Sequence, residues 1–157
     1  MRISIVLLCL SLAACSPHVP AKEGTMPDLD GSFDFAMLEI VNDAGDRLEL
    51  DVYLAQDSEQ QRRGLMFVRE MPETTGMLFI YDSDDIRSMW MRNTFIPLDM
   101  VFARSDGAVS SVITNTTPRS LRSNSSTEPV RYVLELNAGA TSRFEIGPGS
   151  RLVWEEK

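Results

Sequence analysis

The chain has 157 residues, of which 43% are hydrophobic and 24% charged, the composition of one ordinary globular domain and not of two. Its formal net charge of −8 excludes a global phosphate-neutralising surface, so nucleic acid is not an expected partner. Two cysteines and one histidine leave little material for disulfides, zinc sites or serine triads of the usual kind.

The chain opens with Arg2, an apolar run from Ile3 to Leu12, and small residues before Cys15. Such a segment is a secretory signal, too short to cross a bilayer as a helix. Its ending, Leu12-Ala13-Ala14-Cys15, resembles the lipobox of bacterial lipoproteins. That resemblance implies cleavage of residues 1–14, acylation of Cys15 and attachment to a membrane. Ser16 is not the aspartate that retains lipoproteins at the inner membrane, so the resemblance further implies the periplasmic face of the outer membrane. Cys9 leaves with the signal and Cys15 carries lipid, and the mature domain then has no thiol for a disulfide, a nucleophile or a metal. Residues 15–36 hold Pro, Gly and Asp without periodicity, together with His18, and are expected to form the lipidated N-terminus and a flexible tether. A single domain is expected over residues 37–157.

Within it, Met37 to Val41 reads as a strand, and Asn42 to Asp46 as the turn into a second strand in which Leu48, Leu50, Val52 and Leu54 alternate with polar residues and Tyr53. Ser58 with Gln61 three residues on predicts a capping box and a short helix from Glu59 to Arg63, stopped by Gly64. Met77 to Tyr81 reads as a strand buried on both faces, and Asp82 to Asp85 as a solvated loop. A strand from Ser88 to Arg92, a break at Pro97 and a strand from Leu98 to Arg104 follow. Asp106-Gly107 predicts a tight hairpin into a strand from Val109 to Thr114. Thr114 to Glu128 is a long polar loop, of a length that is usually mobile or functional. Arg131 to Leu136 is a further strand, Ala140 to Phe144 a short helical segment, and Arg151 to Trp154 a last strand. Trp90 and Trp154 read as core or barrel-end aromatics. The sum is a mainly β fold: a small, mostly antiparallel barrel or curled sheet of about seven strands with one or two short helices.

Trp90 to Phe102 concentrates the chemistry, because Arg92, Asn93 and Asp99 stand in an apolar, aromatic stretch that tolerates polar groups only when they are paired. The segments Arg63-Gly64-Leu65-Met66, Gly76-Met77-Leu78-Phe79, Trp90-Met91-Arg92-Asn93-Thr94, Pro97-Leu98-Asp99 and Tyr132 to Gly139 resemble, in order and spacing, the domain of unknown function 192 family (DUF192). The resemblance runs from about Met37 to Trp154. It implies a small, often exported β-rich domain to which no activity is securely attached. Arg92 stands where members often read lysine, a change of donor geometry at constant charge. Ser120 to Glu128 lacks the cysteine or aromatic residues many relatives show there.

Asp99 and Glu135 are carboxylates embedded in apolar strands, and Arg63 and Arg92 are the cations of the other motif segments. Buried or half-buried ion pairs among them, with Asn93 and Asn137 satisfying turn backbones, are the plain structural expectation. The functional expectation is a non-catalytic binding module in which Arg63, Arg92, Asn93, Asp99, Glu135 and Asn137 hold a small anionic or sugar-like ligand or an envelope protein. Asp99 and Glu135 are then neutralised by Arg63 or Arg92. An alternative is a carbohydrate-active hydrolase using Asp99 and Glu135 as acid and base, which needs an open cleft and one carboxylate unpaired with a raised pKa. A third class is Cu(I) binding through Met89 and Met91, in a chain with nine methionines. No cofactor is otherwise expected.

Overall fold

The computed structural model describes residues 26, 29 and 31–154; Cys9, Cys15 and His18, and with them the expected signal and lipid site, lie outside the described residues. β1 (Asp34–Val41) and β2 (Arg47–Ala55) form an antiparallel hairpin. Its turn is held by Asn42, whose carbonyl accepts from Gly45 N at 3.0 Å and whose Oδ1 accepts from Asp46 N at 2.8 Å. Strand structure therefore begins before Met37, inside the expected tether. Met26, Leu29 and Phe33 are also buried, because apolar side chains at these positions cover sheet surface that water would otherwise meet.

α1 (Ser58–Arg63) carries the chain across to β3 (Thr75–Asp85), which pairs with β2 in parallel. The cap is one residue earlier than the sequence pattern suggests. Asp57 Oδ1 accepts from Glu59 N at 2.9 Å and Gln60 N at 2.8 Å, while Gln60 Oε1 accepts from Asp57 N at 3.3 Å. A carboxylate answers the helix's unpaired N–H groups more strongly than the Ser58 hydroxyl can. The Asp82 to Asp85 run is the exposed continuation of β3 and not a loop.

Three further differences concern the middle of the chain. β4 is only Ser88–Met89, so Trp90 to Arg92 are irregular; β5 (Leu98–Ala103) and β6 (Val109–Ile113) form the expected hairpin; and β7 (Asn124–Ser125) lies in the long polar loop, paired to β4. That pairing pins the loop across the molecule. β8 (Val130–Asn137), α2 (Ala140–Arg143) and β9 (Arg151–Val153) complete the chain.

The main sheet has seven strands in the order β6-β5-β8-β3-β2-β1-β9. The fold is mainly β, a mixed curled sheet or half-barrel with two short helices. Its edges meet at one end, where Val109 N donates to Ser150 O at 2.9 Å and Leu152 N to Gly107 O at 2.8 Å. Gly107 has φ +82°, and a Cβ there would lie 2.2 Å from Leu152 O, so only glycine permits this seam. Strand alternation divides the core in two. Leu50, Val52, Leu78, Val101, Leu134 and Leu152 fill the inner face of the curl. Tyr53, Met77, Phe79, Met100, Phe102 and Val133 face outward, under a cover that includes Leu65, Val68, Met71, Met89 and Met91. The candidate site lies in that cover.

Candidate functional site

Cross-strand register assigns the two carboxylates. Asp99 pairs with Leu136, which faces inward, whereas Glu135 pairs with Met100 and Met77, which face outward. Asp99 and Glu135 thus stand on opposite faces of one sheet. A mechanism needing both across a single bond has no geometry here, which corrects the acid-and-base pairing expected from their chemistry.

Asp99 is fully buried and saturated. Its Oδ1 accepts from Asn115 N at 2.8 Å, and its Oδ2 from Gly139 N at 2.9 Å, Thr141 N at 3.1 Å and Thr141 Oγ1 at 2.7 Å. The carboxylate is stabilised by backbone and hydroxyl donors, not by arginine. It locks the start of α2 and the exit of β6 onto β5. Asn137 has a similar task, donating from Nδ2 to Met71 O at 2.9 Å and Pro72 O at 3.1 Å, which ties the end of β8 to the loop before β3.

Glu135 is the opposite case. It is 4% exposed, and among the described residues no hydrogen bond or ion pair reaches its carboxyl group. Burial pushes its pKa from 4.5 up to about 8, because ionisation in an apolar setting forfeits hydration without compensation. At neutral pH the group is largely neutral, able to donate as well as accept. Beside it, burial also pushes the Tyr81 hydroxyl up to about 12, against the pull of Arg87, so the phenol stays protonated and donates to Met89 Sδ at 3.6 Å.

Glu135 opens into a narrow cleft of ≈ 20 Å³, room for about one water. One wall is Arg63, Gly64 and Met66, following α1; the other is Trp90, Arg92 and Thr94; Phe79 and Met89 lie beneath with Glu135. Gly64 has φ +45°, and a Cβ there would meet the Phe79 ring at 3.2 Å, so glycine lets the first wall sit directly on the sheet. Arg63 is held by its own loop: Nη1 donates to the carbonyls of Met66 and Gly64, and the guanidinium lies 5.4 Å from the Phe67 ring centre. Arg92 lies 5.6 Å from the Trp90 ring centre. Neither arginine pairs with Asp99 or Glu135, contrary to the expected ion pairs, since loop carbonyls and ring faces occupy them instead.

Asn93 joins the walls. It takes φ +58°, a left-handed conformation asparagine tolerates; its carbonyl accepts from Phe67 N at 2.8 Å, and Nδ2 lies 3.9 Å from Met66 Sδ. Of the expected ligand set, Arg63, Arg92 and Glu135 therefore converge, Asn93 supports them, and Asp99 and Asn137 stand apart. Met89 and Met91 are both buried, but their sulfurs answer different hydroxyls, Met91 Sδ accepting from Thr116 Oγ1 at 3.2 Å. Among the described residues no group of three or more His, Cys, Asp or Glu side chains is arranged to hold a metal ion. Trp90 is 46% exposed, a cleft rim and not a core aromatic. Its place beside Arg92 and Thr94 in one short segment was the sequence signal for it.

Comparison with known proteins gives no match among curated proteins. Two crystal structures are similar. A protein from Sinorhizobium meliloti 1021, described as a candidate transcription regulator, is 40% identical, with a TM-score of 0.75 over 77% of this chain and 94% of its own. A protein of unknown function from Novosphingobium aromaticivorans DSM 12444 is 31% identical, with a TM-score of 0.77 over 85% of this chain and 94% of its own. The model of the DUF192 family, described as "Uncharacterized ACR", matches residues 39–154. The chain belongs to the DUF192 family.

Proposed function

We propose that this protein is a lipid-anchored envelope domain that binds a small ligand without transforming it, in the cleft above Glu135. The observation that carries the proposal is a buried carboxyl group with no partner among the described residues, facing a cleft bordered by Arg62, Arg63, Arg92 and an exposed indole. Polar groups inside proteins are ordinarily satisfied, and one left open toward a cleft is a place for a ligand's polar atom. A neutral Glu135 hydrogen-bonds a hydroxyl or a carboxylate oxygen. Arg63 and Arg92 favour negative charge at the mouth, and Trp90 offers a flat apolar surface. These donors match a small anionic or sugar-like head in chemistry, and in a cleft of ≈ 20 Å³ its entry requires the two walls to part. Catalysis by a carboxylate pair lacks support, because Glu135 is the only acidic residue among the described residues that line the cleft.

The envelope location rests on the signal-like start and the sequence around Cys15. No helix among the described residues is long and apolar enough to cross a membrane. Attachment is assigned to an acylated Cys15 on the strength of the Leu12-Ala13-Ala14-Cys15 ending. Mass spectrometry of the mature protein is expected to show a diacyl or triacyl Cys15, and C15S to abolish it.

The cleft is tested by screening small anions and hydroxylated compounds against the ¹⁵N-labelled domain. Binders are expected to shift the amides of residues 63–66, 90–94 and 135, and to lose affinity about tenfold or more in E135L, which removes the hydrogen-bonding group at similar volume. Hits that map elsewhere, or that bind E135L equally well, would overturn the assignment.

A further inference from the structure

The region around the mouth of the cleft carries a second pattern that does not depend on Glu135. Residues 62–69, 90–95 and 117–122 contain Arg62, Arg63, Arg69, Arg92, Arg119 and Arg122, against Glu70 directly after Arg69 and Glu59 near Arg63, in a chain of net charge −8. Backbone hydrogen bonds knit the segments together: Phe67 N to Asn93 O at 2.8 Å, Arg119 N to Thr94 O at 3.0 Å, and Met91 N to Ser120 O at 3.1 Å. Their side chains interleave. The rings of Phe67 and Phe95 meet edge to face at 6.0 Å, and Arg69 and Arg119 lie 5.1 and 4.9 Å from the Phe95 ring centre. Among the described residues none of these arginines forms an ion pair.

The same face displays apolar groups to solvent: Phe67, Trp90 and Leu121 are 51%, 46% and 71% exposed. Phe67, Asn93 and Arg119 hold left-handed φ values of 70°, 58° and 61°. Such conformations cost energy in residues with a side chain, and persist where surrounding structure enforces them. Here they fix the loops that present the arginines and rings.

We propose that this face docks on an anionic membrane surface, with the arginines meeting lipid phosphates and Phe67, Trp90 and Leu121 entering the interfacial layer. Basic residues are drawn to anionic leaflets, and aromatic rings with one wet and one apolar side settle at the headgroup level. An acidic protein segment would answer the arginines but leave the exposed apolar side chains without a role. Arg63 also borders the segment before β1, where Gln60 Nε2 donates to Ser32 O at 3.0 Å and a shallow depression is lined by Ser32, Phe33, Asp57, Glu59, Gln60 and Arg63. The proposal rests on the lipid anchor proposed above for bringing the domain to a membrane; the charge pattern stands without it.

The test uses residues 16–157, which lack Cys15 and keep every described residue of the domain, with a cooperative thermal transition confirming the fold before vesicles are added. Sedimentation with vesicles of phosphatidylglycerol and phosphatidylethanolamine is compared with sedimentation with neutral phosphatidylcholine vesicles. Binding to the anionic vesicles alone is expected, falling as salt is raised. The R69Q/R119Q/R122Q variant is expected to bind about a hundredfold more weakly, roughly fivefold for each arginine. L121S is expected to bind more weakly with an unchanged melting temperature. Absence of sedimentation, equal sedimentation with neutral vesicles, or an unaffected triple variant would overturn the proposal. Tighter binding to polyglutamate than to vesicles would likewise overturn it, assigning the face to an acidic protein. The substituted arginines do not line the cleft, so loss of vesicle binding is separable from loss of ligand binding.

Discussion

At the scale of single residues, two carboxylates of similar sequence context have opposite fates. Asp99 and Glu135 both interrupt apolar strands, and sequence marks both as needing partners. What sequence does not contain is the register that turns one inward and the other outward, or the approach of the Gly139–Thr141 backbone to Asp99. The D99N variant is expected to lose about 2–4 kcal/mol of stability in urea titrations, because one amide oxygen cannot serve all the donors that now converge on Oδ2. An unchanged midpoint would show that those bonds are dispensable. Glu135 imposes a different signature. Its pKa is raised in the folded state, from 4.5 to about 8, so the native protein holds a proton that the unfolded chain releases. Stability from this source is complete below pH 4.5 and declines as pH rises through about 8, by up to about 5 kcal/mol. Wild type is expected to be less stable at pH 8.5 than at pH 5.5, and E135Q, neutral throughout, to lack that component of the decline.

At the scale of elements, strands with clear alternation were legible and irregular cover was not. Leu48 to Leu54 follows from period-two patterning, and the strands read over Leu98 to Arg104 and Arg131 to Leu136 from apolar runs bounded by turn residues. The strand read over Ser88 to Arg92 ends at Met89, and Trp90 to Arg92 run on as a loop in which Met91 enters the core and Trp90 the cleft rim. The helix cap was misplaced by one residue because Asp57 and Ser58 are both cap formers, and only the carboxylate reaches the Glu59 and Gln60 amides. D57A is expected to lower stability by about 1 kcal/mol. It should also loosen Arg63 and the wall that follows α1, visible as faster amide exchange over residues 60–66. Exchange unchanged there would mean that tertiary contacts alone hold the wall.

At the scale of the whole molecule, the curled half-barrel keeps a dry inner core and gives its outer face to covering loops. Sequence gave the fold class, about the number of strands and the family resemblance. It left out the one-sided seam between the β5–β6 turn and β9, since contacts across that span of chain leave no local pattern. Gly107 is the exception in hindsight, a glycine in a tight turn that also serves as the contact point. G107A is expected to cost about 2–4 kcal/mol, from a left-handed φ combined with a clash against Leu152 O. Denaturation at the wild-type midpoint would show that the seam adds nothing. The cleft was half legible: Arg63, Arg92 and Glu135 are marked by charge within apolar motifs, whereas the solitude of Glu135 follows only from the fold.

The most direct test of the cleft is the titration of the Glu135 side-chain carboxyl carbon by ¹³C NMR in the folded domain. A midpoint near 8, moving when a cleft ligand is added, is expected of a buried carboxyl group waiting for a partner. A midpoint near 4.5 that no ligand moves would mean that Glu135 is already solvated or paired, and the proposed binding site would fall with it.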